Sequence, residues 1–127
     1  MPKRPLNEDD LYKFIKLLKI KHFRGIFMRD SFPKKVKTVE CGILNLDISS
    51  GFGTHWTAYV KDHAFVLYFD SYGNLKPPPE AIAFFQSAGP CTILYNYERL
   101  QYSNAYNCGH LCLKFLYNTS LDIQKCH

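Results

Sequence analysis

Two stretches rich in aromatic and β-branched residues, 56–60 (Trp-Thr-Ala-Tyr-Val) and 64–69 (Ala-Phe-Val-Leu-Tyr-Phe), constrain the fold more than any other part of the chain. Their composition predicts two strands, and the polar Lys61-Asp62-His63 between them predicts a hairpin turn. With Asp62-His63 as a two-residue loop, Lys61 faces Ala64, Val60 faces Phe65 and His55 faces Asp70. Side chains alternate along a strand, so Trp56, Ala58, Val60, Phe65, Leu67 and Phe69 then share one apolar face. His55, Thr57, Tyr59, Tyr68 and Asp70 share the other. Opposed residues bring their Cβ atoms to roughly 4.5–5.5 Å, near enough for an imidazole and a carboxylate to hydrogen-bond. The hairpin therefore predicts an oriented histidine.

Around this hairpin a single domain is expected over 1–127, since 127 residues with 46% hydrophobic and 16% aromatic content can bury one core and are too apolar for a disordered chain. No apolar run approaches the ~20 residues of a membrane span. The amino-terminal Met-Pro-Lys-Arg-Pro leads into charged residues instead of an apolar signal core, so an intracellular protein with no membrane partner is expected. Five cysteines are an odd number and make neither a CxxC pair nor a zinc spacing with the five histidines, which predicts free thiols in a reducing compartment and no metal. Residues 1–37 hold 11 of the 16 Lys and Arg and 4 of the 11 Asp and Glu. The basic excess is thus confined to the amino-terminal third, where Lys13, Lys16 and Lys19 form a stripe suited to phosphate contact or simply to a solvated helix face.

Asn7 predicts an N-cap, with Glu8, Asp9 and Asp10 in the first turn and Leu11, Phe14, Ile15 and Leu18 at helical spacing, for a helix ending near Lys21. Phe23 to Asp30 reads as a turn or loop with apolar anchors. Cys41 to Leu46 predicts a strand, and Ser49 to Gly53 a loop that delivers the chain to His55. Pro77-Pro78-Pro79 predicts a helix over Glu80 to Ser87, stopped by Gly89-Pro90, with Phe84 and Phe85 on the core. Cys91 to Tyr95 predicts another strand, and a last helix opens at or next to Cys108. This is an α+β arrangement with a central, mainly antiparallel sheet flanked by helices.

Three groups combine chemically. A cysteine at a helix N-terminus has its thiolate favoured by the helix dipole, and a nearby imidazolium favours it further. Cys108 is placed to attack a carbonyl carbon, His55 to protonate the leaving amine, and Asp70 to fix the imidazole. The Cys108 backbone N–H and the Gln101 side-chain amide are candidate donors to the oxyanion. The other readings are a buried apolar role for Cys41, Cys91 and Cys112, and a turn and a helix-surface role for His63 and His110.

Gly-Thr-His-Trp at 53–56, Phe-Asp-Ser-Tyr-Gly at 69–73, and Gln101 through Asn-Cys-Gly at 107–109 resemble the adenovirus-type (adenain-like) cysteine proteases, relatives of the ubiquitin-like-protein-specific proteases. The order His, acid, Gln, Cys is that family's, and the likeness runs from the first helix to about Tyr117. It implies a papain-like domain in permuted order, with Cys108 as nucleophile, His55 as general base and acid, Asp70 as orienting acid and Gln101 in the oxyanion hole. Asp70 stands where the adenoviral enzymes have glutamate and the ubiquitin-like-protein proteases aspartate. The resemblance further implies a substrate channel for a narrow strand at Gly53 and Trp56, whereas strand alternation places Trp56 in the core. It makes DNA or an activating peptide a candidate cofactor, and the nucleus of an infected cell or a virion a candidate location.

The function expected is that of a monomeric thiol endopeptidase of viral or mobile-element type, cutting a precursor polypeptide near small residues. Its rivals are an isopeptidase acting on ubiquitin-like tails, an acetyltransferase using the same thioester chemistry, and a non-catalytic nucleic-acid-binding or capsid-associated module.

Overall fold

A computed structural model describes residues 3–47, 55–100 and 107–126, with side chains through 119. Helix α1 (Glu8–Leu17) starts where the capping signal falls, since Asn7 accepts from the Asp10 backbone N–H while the Asp10 carboxylate accepts from Asn7 N–H. It buries Leu11 and Ile15. Leu18 caps it and Lys19 turns to φ +53°, so the helix stops before the expected end at Lys21. Lys13, Lys16 and Lys19 are exposed.

Five strands follow, β1 (Phe23–Phe27), β2 (Val39–Asn45), β3 (Trp56–Asp62), β4 (Phe65–Phe69) and β5 (Thr92–Tyr95), in the spatial order β1-β2-β3-β4-β5. Helix α2 (Pro79–Phe85) lies between β4 and β5 in sequence, and α3 (Cys108–Cys126) follows β5. The inner pairings β2·β3 and β3·β4 are antiparallel, and the outer pairings β1·β2 and β4·β5 are parallel. The sheet is thus mixed. The long connection through α2 supplies the crossover that a parallel neighbour requires.

Strand β1 corrects the expectation of a loop over Phe23 to Asp30. Its Arg-Gly interior lacks strand-like patterning, but the open edge of β2 offers it a parallel ladder. The hairpin register is corrected as well. Asp62 pairs with Phe65, Val60 with Leu67 and Ala58 with Phe69, so the turn is His63-Ala64 and the strands are offset by two residues from the expected pairing. His63 takes φ +55°, a conformation that histidine tolerates better than most side chains. An even offset keeps every residue on its expected face.

Both faces of the sheet are covered. On one, Ile43, Trp56, Ala58, Val60 and Phe69 pack against Leu11 and Ile15 of α1 and Cys112, Leu113 and Leu116 of α3. On the other, Leu44, Tyr59, Val66 and Tyr68 pack against Ala81, Phe84 and Phe85 of α2. Burying a side chain such as Phe85 contributes roughly 1.5–3 kcal/mol. Gly42 sits under the Tyr59 ring, where a Cβ would come within 2.7 Å of ring atoms. The Tyr59 hydroxyl donates to Glu40 at 2.6 Å, and Glu40, itself buried, pairs with Arg24 at 2.8 Å. Helix α3 lies over β3, so at the far side of the sheet Phe65 and Leu67 stay 54% and 37% exposed, although they share the apolar face.

Candidate active site

His55 immediately precedes β3, and its carbonyl accepts from Leu46 N–H, which ties it to the end of β2. One ring nitrogen, Nε2, lies 2.9 Å from Asp70 Oδ1. The offset register makes Asp70 a diagonal neighbour of His55 instead of a facing one, a separation that long side chains still span. Asp70 is 1% exposed and follows β4 directly. The same Oδ1 accepts from the Tyr72 backbone N–H at 3.0 Å. Asn96, one residue past β5, clamps the Asp70 backbone by accepting its N–H at 2.9 Å and donating to its carbonyl at 2.7 Å. The turn closes with Gly73 N–H on the Asp70 carbonyl, and Gly73 adopts φ +75° with no room for a Cβ against the Glu98 backbone.

Cys108 is the first residue of α3, buried against the sheet. Its side chain interacts with that of His55, whose Nε2 is engaged by Asp70. Burial opposes the Cys108 thiolate. Hydrogen bonding to His55, the backbone N–H groups of Trp56 and Gly109, and the imidazolium charge outweigh it and bring the thiol below its ordinary value. Burial likewise opposes the His55 imidazolium, but the hydrogen bonds to Asp70 and Cys108 and their charges hold it up to about 9.

The other described cysteines go the opposite way. Burial pushes Cys41 up to about 12, raises Cys112 strongly and raises Cys91. Of the four cysteines whose side chains are described, Cys108 alone is tuned toward the thiolate.

The pair titrates as a unit, with a thiolate–imidazolium form bounded below by the lowered Cys108 value and above by about 9. His55 is raised above its ordinary value, so the stability that its charge contributes is complete below about 6.5 and lost as pH climbs through about 9. Cys108 is lowered, so its contribution is present above its ordinary value of 9.0 and lost as pH falls through the lowered one. Alkylation of Cys108 followed against pH is expected to begin at lower pH than for an ordinary thiol and to rise again near about 9, where the imidazolium proton leaves. A single step at the pH of an unperturbed thiol would contradict the pairing.

The structure brings His55, Asp70 and Cys108 together. Gln101 and Gly53 lie outside the described residues. Trp56 is 7% exposed, its indole N–H donates to Leu6 O at 2.9 Å, and its ring packs where a Cβ on Gly109 would come 3.3 Å from Cδ1. It occupies a core position. His63 is exposed at the hairpin turn beside Asp62, and His110 is half-buried on α3. Tyr72, whose ring stacks on His55, enters the sequence reading only within the 69–73 stretch, and Asn96, which fixes Asp70, has no signal there. Their roles follow from the parallel β4·β5 pairing and the offset register, and neither periodicity nor turn chemistry reveals those. Among the described residues no cluster of His, Cys, Asp and Glu suits a metal ion, and no helix is long and apolar enough to cross a membrane.

No protein-family model matches the chain, and no curated protein matches it. Among solved structures it is similar to the ASFV pS273R protease, with a TM-score of 0.65 and 18% identity, covering 94% of this chain and 59% of that one. It is similar also to the SUMO protease Ulp1, solved with its catalytic cysteine oxidized to a sulfonic acid, with a TM-score of 0.64 and 15% identity over 95% of this chain and 69% of that one. The chain spans 59% of the length of the viral protease. At these identities the likeness shows the fold alone: the mixed sheet and helices described above form an α+β arrangement shared with both of these proteases.

Proposed function

We propose that the protein is a thiol peptidase of the adenain-like, viral or mobile-element type, which cleaves polypeptides near small residues through an acyl-enzyme. One observation supports this reading: an imidazole held at 2.9 Å by a buried carboxylate interacts with the cysteine that opens a helix. The Cys108 thiolate attacks the scissile carbonyl carbon, forming a C–S bond and an oxyanion. As the C–N bond breaks, the His55 imidazolium gives its proton to the leaving amine. Neutral His55 then takes a proton from water, the hydroxide adds to the thioester, and the carboxylic acid departs as the thiolate reforms. Asp70 keeps the ring oriented throughout. The oxyanion donors in this scheme are the Cys108 backbone N–H and the Gln101 amide, each worth about 2.7–4 kcal/mol to the transition state. Of the two residues expected to flank the substrate strand, Gly53 keeps that role in this scheme, and Trp56, buried in the core, does not.

The likeness to a SUMO protease supports a second reading, isopeptidase action on ubiquitin-like tails. A ubiquitin-type thiol-reactive probe and a viral structural precursor, offered in parallel, separate the two.

Iodoacetamide at neutral pH is expected to label Cys108 ahead of Cys41, Cys91 and Cys112. Cys108→Ala is expected to abolish thiol-dependent cleavage with an unchanged circular-dichroism spectrum. Cleavage that persists in that variant would remove the proposal.

A further inference from the structure

The carboxylate that holds the imidazole is aimed largely by its own backbone. Asp70 Oδ1 lies 2.9 Å from His55 Nε2 and accepts from the Tyr72 N–H, while Oδ2, buried, has no hydrogen-bond partner among the described residues. Strand support ends just short of it. The last pair of the parallel β4·β5 ladder is Tyr68 with Tyr95, and β4 closes at Phe69. From there a side chain takes over from the strand: Asn96 Oδ1 accepts the Asp70 N–H at 2.9 Å, and Asn96 Nδ2 donates to the Asp70 carbonyl at 2.7 Å. This amide is itself anchored. Its Nδ2 donates also to Glu98 O at 3.1 Å, and the Asn96 backbone carbonyl accepts from Asn74 N–H at 2.7 Å, which ties the segment after β5 to the turn after β4.

We propose that Asn96 is a positioning residue, its side-chain amide fixing the Asp70 backbone so that the carboxylate stays on the His55 ring. This rests on the Cys108–His55–Asp70 reading above and extends it to a residue one position past β5. Gripping both the N–H and the carbonyl of one residue takes an acceptor and a donor on separate atoms of one planar group, and among short side chains asparagine alone carries both. Leucine matches its shape and has neither. The His55–Asp70 bond is strong because it is buried, and for the same reason it tolerates little displacement of the carboxylate.

The charged and titratable groups facing this carboxylate and its imidazole are Tyr68 on β4, Cys108 and Cys112 on α3, and Arg99 beside the Tyr72 ring. Asn96 carries no charge, so replacing it with leucine leaves that set intact and alters where Asp70 sits. The imidazolium then reports the placement. A carboxylate drawn off the ring supports the positive charge less, and the His55 proton leaves at lower pH.

The test is the rate of Cys108 alkylation by iodoacetamide against pH, read by peptide mass spectrometry on the full chain. Asn96→Leu should lower the upper step, which lies at about 9 in the wild type, by roughly one pH unit, a tenfold change in the proton equilibrium. Asn96→Ser, too short to reach both backbone groups, carries the same prediction should the leucine variant melt below the assay temperature. Phe85→Leu serves as the control: it loosens the packing of α2 on Tyr59 and should leave the step where it is. An unmoved step in the Asn96 variant would overturn the inference alone. Equal shifts in the Asn96 and Phe85 variants would also overturn it, by assigning the change to general loosening of the fold. An ordinary, unselective Cys108 rate in the wild type would overturn the triad reading itself, and this inference with it.

Discussion

His55→Ala is expected to lower thiol-dependent cleavage by at least ~10³-fold, because loss of the base from a coupled nucleophile–base pair removes nearly the whole of their joint effect. The ground state predicts a second readout. Burial pushes the Cys108 thiol up, and the hydrogen bond from His55 is the largest influence pulling it down. Without the imidazole, Cys108 should join Cys41 and Cys112 among the unreactive thiols. Its alkylation at pH 7 should fall to the level of its buried neighbours, and the upper step of the profile should vanish because the group that titrates there is gone. The change leaves Asp70, 1% exposed, with the Tyr72 N–H as the remaining partner of Oδ1, so a modest loss of melting temperature accompanies it. Preferential labelling of Cys108 in the alanine variant would show that something other than His55 activates the sulfur.

Glu40→Ala is expected to cost about 3–5 kcal/mol of folding stability, the range for breaking a buried ion pair by deleting one partner. Glu40 is 1% exposed and accepts from three donors: Arg24 at 2.8 Å, the Tyr59 hydroxyl at 2.6 Å and the Lys37 backbone N–H at 2.7 Å. Alanine strands a largely buried guanidinium and a fully buried phenol, and opens a cavity between β1 and β2. Urea unfolding monitored by circular dichroism measures the loss. Replacing the pair together, as Arg24→Met with Glu40→Leu, should recover much of it, since no uncompensated charge then remains. A loss below about 1 kcal/mol for Glu40→Ala would mean that water reaches the site and takes over the missing contacts.

Much of the site was legible because its parts depend on local chemistry. The Asn7 cap, the Pro-rich start of α2 and the opening of α3 at Cys108 follow from rules that act within one helical turn. The pairing of His55 with Asp70 was legible in kind, since alternation put both on one side of the hairpin and the even offset preserved that. What stayed hidden depends on partners distant in sequence. The alternation seen in 56–69 suggested one buried face, yet Thr57, Tyr59 and Tyr68 are buried as completely as Ala58, because α2 covers the second face. β1 is a strand because β2 lies beside it. Asn96 reaches Asp70 because β5 runs parallel to β4.

The three reactive groups also differ in how far apart the chain places them. His55 and Asp70 belong to a hairpin of short loop closure, which forms on the microsecond scale when the surrounding sheet supports it. Cys108 comes with the last described helix, docked on β3 through Trp56 and Gly109. During synthesis the hairpin that holds His55 and Asp70 is therefore made before Cys108, whose thiol stays ordinary until its helix docks. On the proposed reading, docking of this helix on β3 and activation of the Cys108 thiol are therefore a single event, and a loosened helix leaves an ordinary thiol.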